Sequence, residues 1–166
     1  MQSIWITGAS SGIGEACACR YAEQGARLIL TSSSEERLET VAAKCRELGA
    51  SEVAVLPYDM SVTEGIDALV EKAWAVFKVI DIVMLNAGIS QRTNVEDTSM
   101  EMVRKIMEIN YFAPVAIAKE LLPRMMSAGG GKIAVTTSIA GRFGFPLRCG
   151  YSSSLGKRTL LPSFSA

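Results

Sequence analysis

Short apolar runs alternate along the chain with longer stretches in which apolar positions recur at helical spacing. Ile4-Trp5-Ile6-Thr7 reads as a strand and residues 13–24 as a helix. Leu28-Ile29-Leu30-Thr31 is a second strand, with a helix over 35–48 behind it. Val53-Ala54-Val55-Leu56 is a third, followed by a helix over 62–77. Ile82-Val83-Met84-Leu85 and Ile133-Ala134-Val135-Thr136 are the fourth and fifth. Between those two lies a helical stretch over 100–128, interrupted near Pro114, and Gly129-Gly130-Gly131 stops it. Strands that are apolar on both faces and separated by helices predict right-handed crossovers and a parallel sheet covered on both sides. The expected fold class is α/β, a doubly wound parallel sheet.

Composition narrows the function. The 166 residues suit one domain, and 49% hydrophobic with 20% charged residues is the profile of a folded one. Seventeen basic residues balance seventeen acidic ones, which gives no electrostatic reason to expect a nucleic-acid or anionic-membrane partner. No apolar run approaches the roughly eighteen residues of a membrane span. Met1-Gln2-Ser3 leads directly into the first strand, so no signal peptide is read and a cytoplasmic location is expected. The four cysteines, Cys17, Cys19, Cys45 and Cys149, form no CxxC pair; they read as small buried hydrophobes, and no metal site is expected. Cys17 and Cys19, two apart on a helix, should point away from each other. Histidine is absent. That excludes a Ser-His-Asp or Cys-His device and the commonest general base near neutral pH.

The first strand runs into Thr7-Gly8-Ala9-Ser10-Ser11-Gly12-Ile13-Gly14, and a helix begins inside that run. Backbone N–H groups and the positive end of a helix dipole at such a turn suit a pyrophosphate, and glycine lets the ligand approach. The spacing is G-x3-G-x-G, not the more general GxGxxG. A tight turn alone would also explain the glycines; the position between first strand and first helix favours cofactor binding through Gly8, Ser10, Ser11, Gly12, Ile13 and Gly14.

Together with Asn86-Ala87-Gly88 after the fourth strand, then Asn110, Ser138 and Tyr151, this turn resembles the short-chain dehydrogenase/reductase family over about residues 1–154. The resemblance implies a Rossmann-type NAD(P)-binding domain over 1–154, with residues 155–166 outside the pattern. It also implies hydride exchange between a small-molecule alcohol and a carbonyl, and leaves open a homo-oligomer of the kind the family forms. It assigns the cofactor's surroundings to Asn86, Ala87 and Gly88, and to Asp59 with Met60 after the third strand. Asp59 would meet the adenine amino group in the family; capping the helix near residue 62 is an equal alternative. Asn110 continues the stripe of Val103, Ile106 and Met107, so its amide either satisfies backbone where the helix kinks or holds a relay water, as the family's asparagine does. Ser138 and Tyr151 carry the family's spacing for the substrate-orienting serine and the acid/base tyrosine. The second strand ends in serines, Ser32 and Ser33 among them, and not in a carboxylate that would repel a 2′-phosphate. That tilts the cofactor toward NADP over NAD.

The pattern then breaks. A tyrosine, with an ordinary pKa of about 10, needs help to act near neutral pH, and the family supplies a lysine four residues on. One helical turn would return that ammonium to within about 40° of the tyrosine. Here Leu155 stands in its place, and Lys157 lies about 240° round. Gly156 and Pro162 argue against a regular helix through this stretch. The chain reads as truncated or frame-shifted from Leu155, and the sheet as incomplete at its C-terminal edge. The fifth strand, over 132–137, would present an open edge, and folding of this chain alone becomes an open question. Three readings follow: an oxidoreductase, a catalytically defective remnant that at most holds the nucleotide, or an interaction module using the open edge.

Overall fold

The structure is a computed structural model that describes residues 1–156. Its strands are β1 (Ser3–Thr7), β2 (Arg27–Thr31), β3 (Glu52–Val55), β4 (Ile82–Leu85) and β5 (Lys132–Val135). They form one sheet in the order β3-β2-β1-β4-β5, and every pair is parallel. Ile4 pairs with Leu28 on one side and Ile82 on the other, so β1 is central. Strand side chains alternate between faces. Ile4, Ile6, Leu28 and Leu30 therefore pack under α1 (Gly12–Ala22) and α2 (Glu35–Glu47). Trp5, Ile29, Val83 and Leu85 pack under α3 (Ile66–Phe77) and α5 (Ala113–Ser127). The Trp5 indole N–H, buried in that second layer, donates to Thr31 Oγ1 at 2.9 Å. This is the doubly wound, Rossmann-like sheet the pattern predicts, and its order reverses between β1 and β4.

Four local departures carry physical reasons. The helix expected over 62–77 begins only at Ile66, because Gly65 before it has φ 92°, a left-handed conformation that no helix continues. Asp59 does not cap it; its Oδ1 accepts the Ser61 N–H at 2.8 Å and closes a local turn. The long helix divides into α4 (Met100–Met107), a π-turn over Glu108–Phe112, and α5. Pro114 has no N–H for the carbonyl of Asn110, and the Ala113 N–H reaches five residues back to Glu108 O. The argument from Gly156 against a helix is overturned: α6 (Cys149–Gly156) is helical through Leu155 and Gly156. Tertiary contacts, described below, override weak local propensity there. Among the described residues β5 pairs with β4 alone and forms one edge of the sheet. Cys45 is fully buried, whereas Cys17, Cys19 and Cys149 are half-buried. Lys157 and Pro162 lie outside the described residues.

Candidate functional site

The glycine turn is closed by steric necessity. Gly8 has φ 66°, and a Cβ there would stand 2.8 Å from Ala87 Cα. Gly14 lies beneath the turn, where a Cβ would come within 2.2 Å of the Gly8 carbonyl oxygen. Ser11, extended at φ −168°, is the N-cap of α1 without using its hydroxyl as a cap. The first N–H groups of a helix have no partner inside it, so this end of α1 offers donors to an anion. Ile13 beside it is 61% exposed.

Three strand ends are tied together behind this turn. Thr7 Oγ1 accepts the N–H groups of Asn86, at 3.0 Å, and Ala87, at 3.1 Å. The Asn86 amide donates to Gly8 O at 3.4 Å, and its Oδ1 accepts from Thr136 Oγ1 at 2.9 Å. Asn110, buried in the π-turn, accepts the Ile89 N–H at 2.9 Å and donates to Ile89 O at 2.9 Å. It also donates to Ser154 Oγ at 3.0 Å, linking the π-turn to α6. Gly88 passes close by; a Cβ there would lie 3.3 Å from Asn110 Oδ1.

These groups border a cleft of about 420 Å³ at the carboxyl ends of the strands, a size suited to a ligand or cofactor. Gly8, Ser10, Ser11 and Ile13 line it, together with Asn86, Ala87 and Gly88. Ser32 and Ser33 line it at the end of β2, with Asp59 and Met60 beyond β3. The Asp59 carboxyl is held below the ordinary range, chiefly by the Ser61 backbone N–H it accepts. Asn110 and Tyr151 line the cleft as well. Gly12, with φ 57° and open space around it, and the buried Gly14 shape the turn without lining the cleft. Ser138 is not among the lining residues either. Its hydroxyl accepts the Ala140 N–H at 3.2 Å and caps the short 3-10 turn Ile139–Gly141.

Leu155 is the departure made concrete. It lies one helical turn beyond Tyr151, lines the same cleft and is 5% exposed. Gly141 packs against it so closely that a Cβ there would be 2.9 Å from Leu155 Cβ. Spacing and resemblance do not single out Thr136, Ile89, Tyr58 or Gln91 for the site, and they include Thr7 only as the start of the glycine turn. Thr7 ends β1 and Thr136 directly follows β5, positions that could have marked them. Gln91 gives no local sign: it is buried, and its Oε1 accepts the Tyr151 N–H at 3.1 Å across sixty residues of chain. Among the described residues no cluster of metal-ligating side chains occurs, and no helix is long and apolar enough to cross a membrane.

An open parallel sheet, a glycine turn feeding its first helix and a cleft where the strand order reverses define the Rossmann-like class. Residues 2–157 match the family model for short chain dehydrogenases. The chain belongs to that family, the short-chain NAD(P)-dependent oxidoreductases. It is 38% identical over 154 residues to human dehydrogenase/reductase SDR family member 7, covering 91% of this chain and 45% of that protein. A Drosophila melanogaster relative, SDR family protein 7-like, is also 38% identical, over 91% of this chain and 47% of its own length. An alcohol dehydrogenase from Thermococcus sibiricus, solved with 5-hydroxy-NADP, superimposes with a TM-score of 0.87 at 33% identity, over 94% of this chain and 66% of that one. An NAD+-bound xylitol dehydrogenase gives 0.87 at 29% identity, over 93% and 60%. The chain thus spans about half the length of the curated relatives it matches.

Proposed function

We propose that this chain binds a nicotinamide dinucleotide in the cleft and is built for alcohol–carbonyl interconversion, with Tyr151 as acid/base, Ser138 orienting the carbonyl and Asn110 supporting the site. The observation that carries the reading is one juxtaposition: the glycine turn and Tyr151, 143 residues apart when counted from Gly8, line the same cleft. The residues fit the cofactor. The steric closure around Gly8 and Gly14 leaves the N-terminus of α1 facing the cleft, and Ser11 and Ile13 border the space a pyrophosphate would take. The cofactor, when bound, supplies or accepts the hydride.

The protein's own residues supply the rest. Tyr151 gives a proton to the carbonyl oxygen during reduction and takes one from the hydroxyl during oxidation. Ser138 lies outside the residues lining the cleft, but its cap to Ala140 uses an oxygen lone pair and leaves the hydroxyl proton free to be donated to the same oxygen once substrate is bound. Asn86 and Asn110 hold the cleft wall rigid. Ser32 and Ser33 leave the end of β2 without a carboxylate, which favours NADP over NAD.

A second reading has its own observation. Leu155 fills the position where the family carries lysine, so no ammonium stands one turn beyond Tyr151, and the chain is then a slow or binding-only member. Titration with NADPH and NADH, followed by cofactor oxidation over a carbonyl panel, tests both readings. We expect tighter NADPH binding, slow reduction, loss of it in Tyr151→Phe and faster reduction in Leu155→Lys. Binding without turnover in all three leaves the binding-only reading. Absence of nucleotide binding, or turnover that survives Tyr151→Phe, removes the first.

A further inference from the structure

The segment entering α6 is clipped to the loop after β4 at four points. The Thr93 N–H donates to Leu147 O at 3.1 Å, and Arg148 donates through a guanidinium N–H to Ser90 Oγ. Gln91 Nε2 donates to Cys149 Sγ at 3.4 Å, while Gln91 Oε1 takes the Tyr151 N–H. Gln91 is only 7% exposed, so its two bonds are shielded from competing water. Leu147 within the clip has φ 64°, a left-handed conformation that a leucine keeps only where its surroundings impose it.

The consequence is the position of Arg148. Its guanidinium carbon stands 5.7 Å from the centroid of the Tyr151 ring, within cation–π range. Arg148 is not itself among the residues lining the cleft, but the two residues it touches, Ser90 and Tyr151, both are. Among the described residues no carboxylate pairs with it; the ion pairs there join Arg20, Lys44 and Arg46 to glutamates. A guanidinium carries five N–H donors in a planar fork, and Ser90 takes one. A charge fixed by backbone strain and a buried glutamine, beside the acid/base candidate and lacking an anion, fits a bidentate carboxylate.

We infer that Arg148 is a specificity-determining residue that receives a carboxylate of the substrate, so that the preferred carbonyl compounds are oxo acids or carboxylated aldehydes. The inference rests on the proposed reading of the cleft, and the test separates the two. Ligand-observed NMR titration needs no turnover. It is run with and without NADP+ on two matched pairs, pyruvate with methyl pyruvate and 4-formylbenzoate with its methyl ester. We expect at least one acid to bind about tenfold more tightly than its ester, the discrimination of a charge-assisted hydrogen bond. Arg148→Met should erase that preference and Arg148→Lys should retain part of it, with NADPH affinity unchanged in both. Equal binding of acid and ester in both pairs, no binding by any of the four, or a preference that survives Arg148→Met would overturn the inference. Loss of NADPH binding in the unmodified chain, with the acid preference intact, would instead refute the nucleotide reading and leave the carboxylate site standing.

Discussion

The side chain of Asn110 satisfies both backbone polar groups of Ile89, accepting its N–H and donating to its carbonyl, each at 2.9 Å. The same amide reaches Ser154 in α6. One buried residue in a π-turn thereby fastens the loop after β4 and the helix that carries Tyr151. A structural role is thus plain, whatever further part Asn110 has in proton movement. Asn110→Ala should lower stability by about 2–3 kcal/mol, the cost of stranding buried polar groups, as read by urea unfolding. A variant of wild-type stability with altered turnover would instead assign Asn110 to the chemistry alone.

Ser11 allows the nucleotide site to be separated from the fold. It is the N-cap of α1, and its hydroxyl makes no cap bond. Aspartate caps as well as serine and its charge suits the helix dipole, so Ser11→Asp should hold stability or raise it by about 0.3–1 kcal/mol. The same carboxylate would face the space proposed for the pyrophosphate. NADPH affinity, followed by fluorescence titration, should fall about tenfold or more from that repulsion. Stable protein with undiminished affinity would place the phosphates elsewhere.

Gly141 sets the distance between the 3-10 turn and α6. A Cβ there would meet Leu155 Cβ at 2.9 Å and the Leu155 backbone at 3.0 and 3.1 Å. Gly141→Ala should therefore cost about 1–3 kcal/mol by overpacking. Adding Leu155→Ala should give no relief, because alanine keeps the atoms that clash. Thermal denaturation of the single and double variants checks this; recovery in the double variant would mean the longer part of the leucine side chain was the obstacle.

Cys45 gives the fold a pH dependence on the alkaline side. Burial pushes its thiol up to about 12, with the neighbouring Cys19 adding to the shift. Because the folded value lies above the ordinary 9.0, the unfolded chain loses this proton first. The stabilisation is fully present below pH 9.0 and is lost as pH rises toward 12. Unfolding free energy should fall between those values by up to about 1.4 kcal/mol per pH unit from this group. Cys45→Ala should flatten that slope, and iodoacetamide should leave Cys45 unlabelled in folded protein at pH 8. Rapid labelling of the native thiol would contradict the burial.

The five strands were legible as short apolar runs; β1, β2 and β4 are buried as such runs imply, whereas β3 and β5, at the two edges of the sheet, are partly exposed in spite of theirs. Gly8, Asn86, Asn110 and Tyr151 were legible because their types and order match a family. The late start of α3 was harder to read, since residues 62–65 look compatible with a helix until Gly65 adopts a positive φ. α6 was harder still. Cys149-Gly150-Tyr151-Ser152-Ser153-Ser154-Leu155-Gly156 has almost no periodic signal, and its helix depends on Gln91 and Asn110 from distant segments.

The sequence by itself determined the class of the sheet, the glycine turn and the absence of histidine chemistry, because these depend on local periodicity, spacing and composition. It also determined that leucine stands where the family has lysine. Only the tertiary structure decided that Leu155 stays helical and packs on Gly141, and that Ser90 and Gln91 hold Arg148 and Tyr151 in place. Those outcomes depend on hydrogen bonds and contacts between segments, and a buried partner sixty residues away leaves no mark on local periodicity.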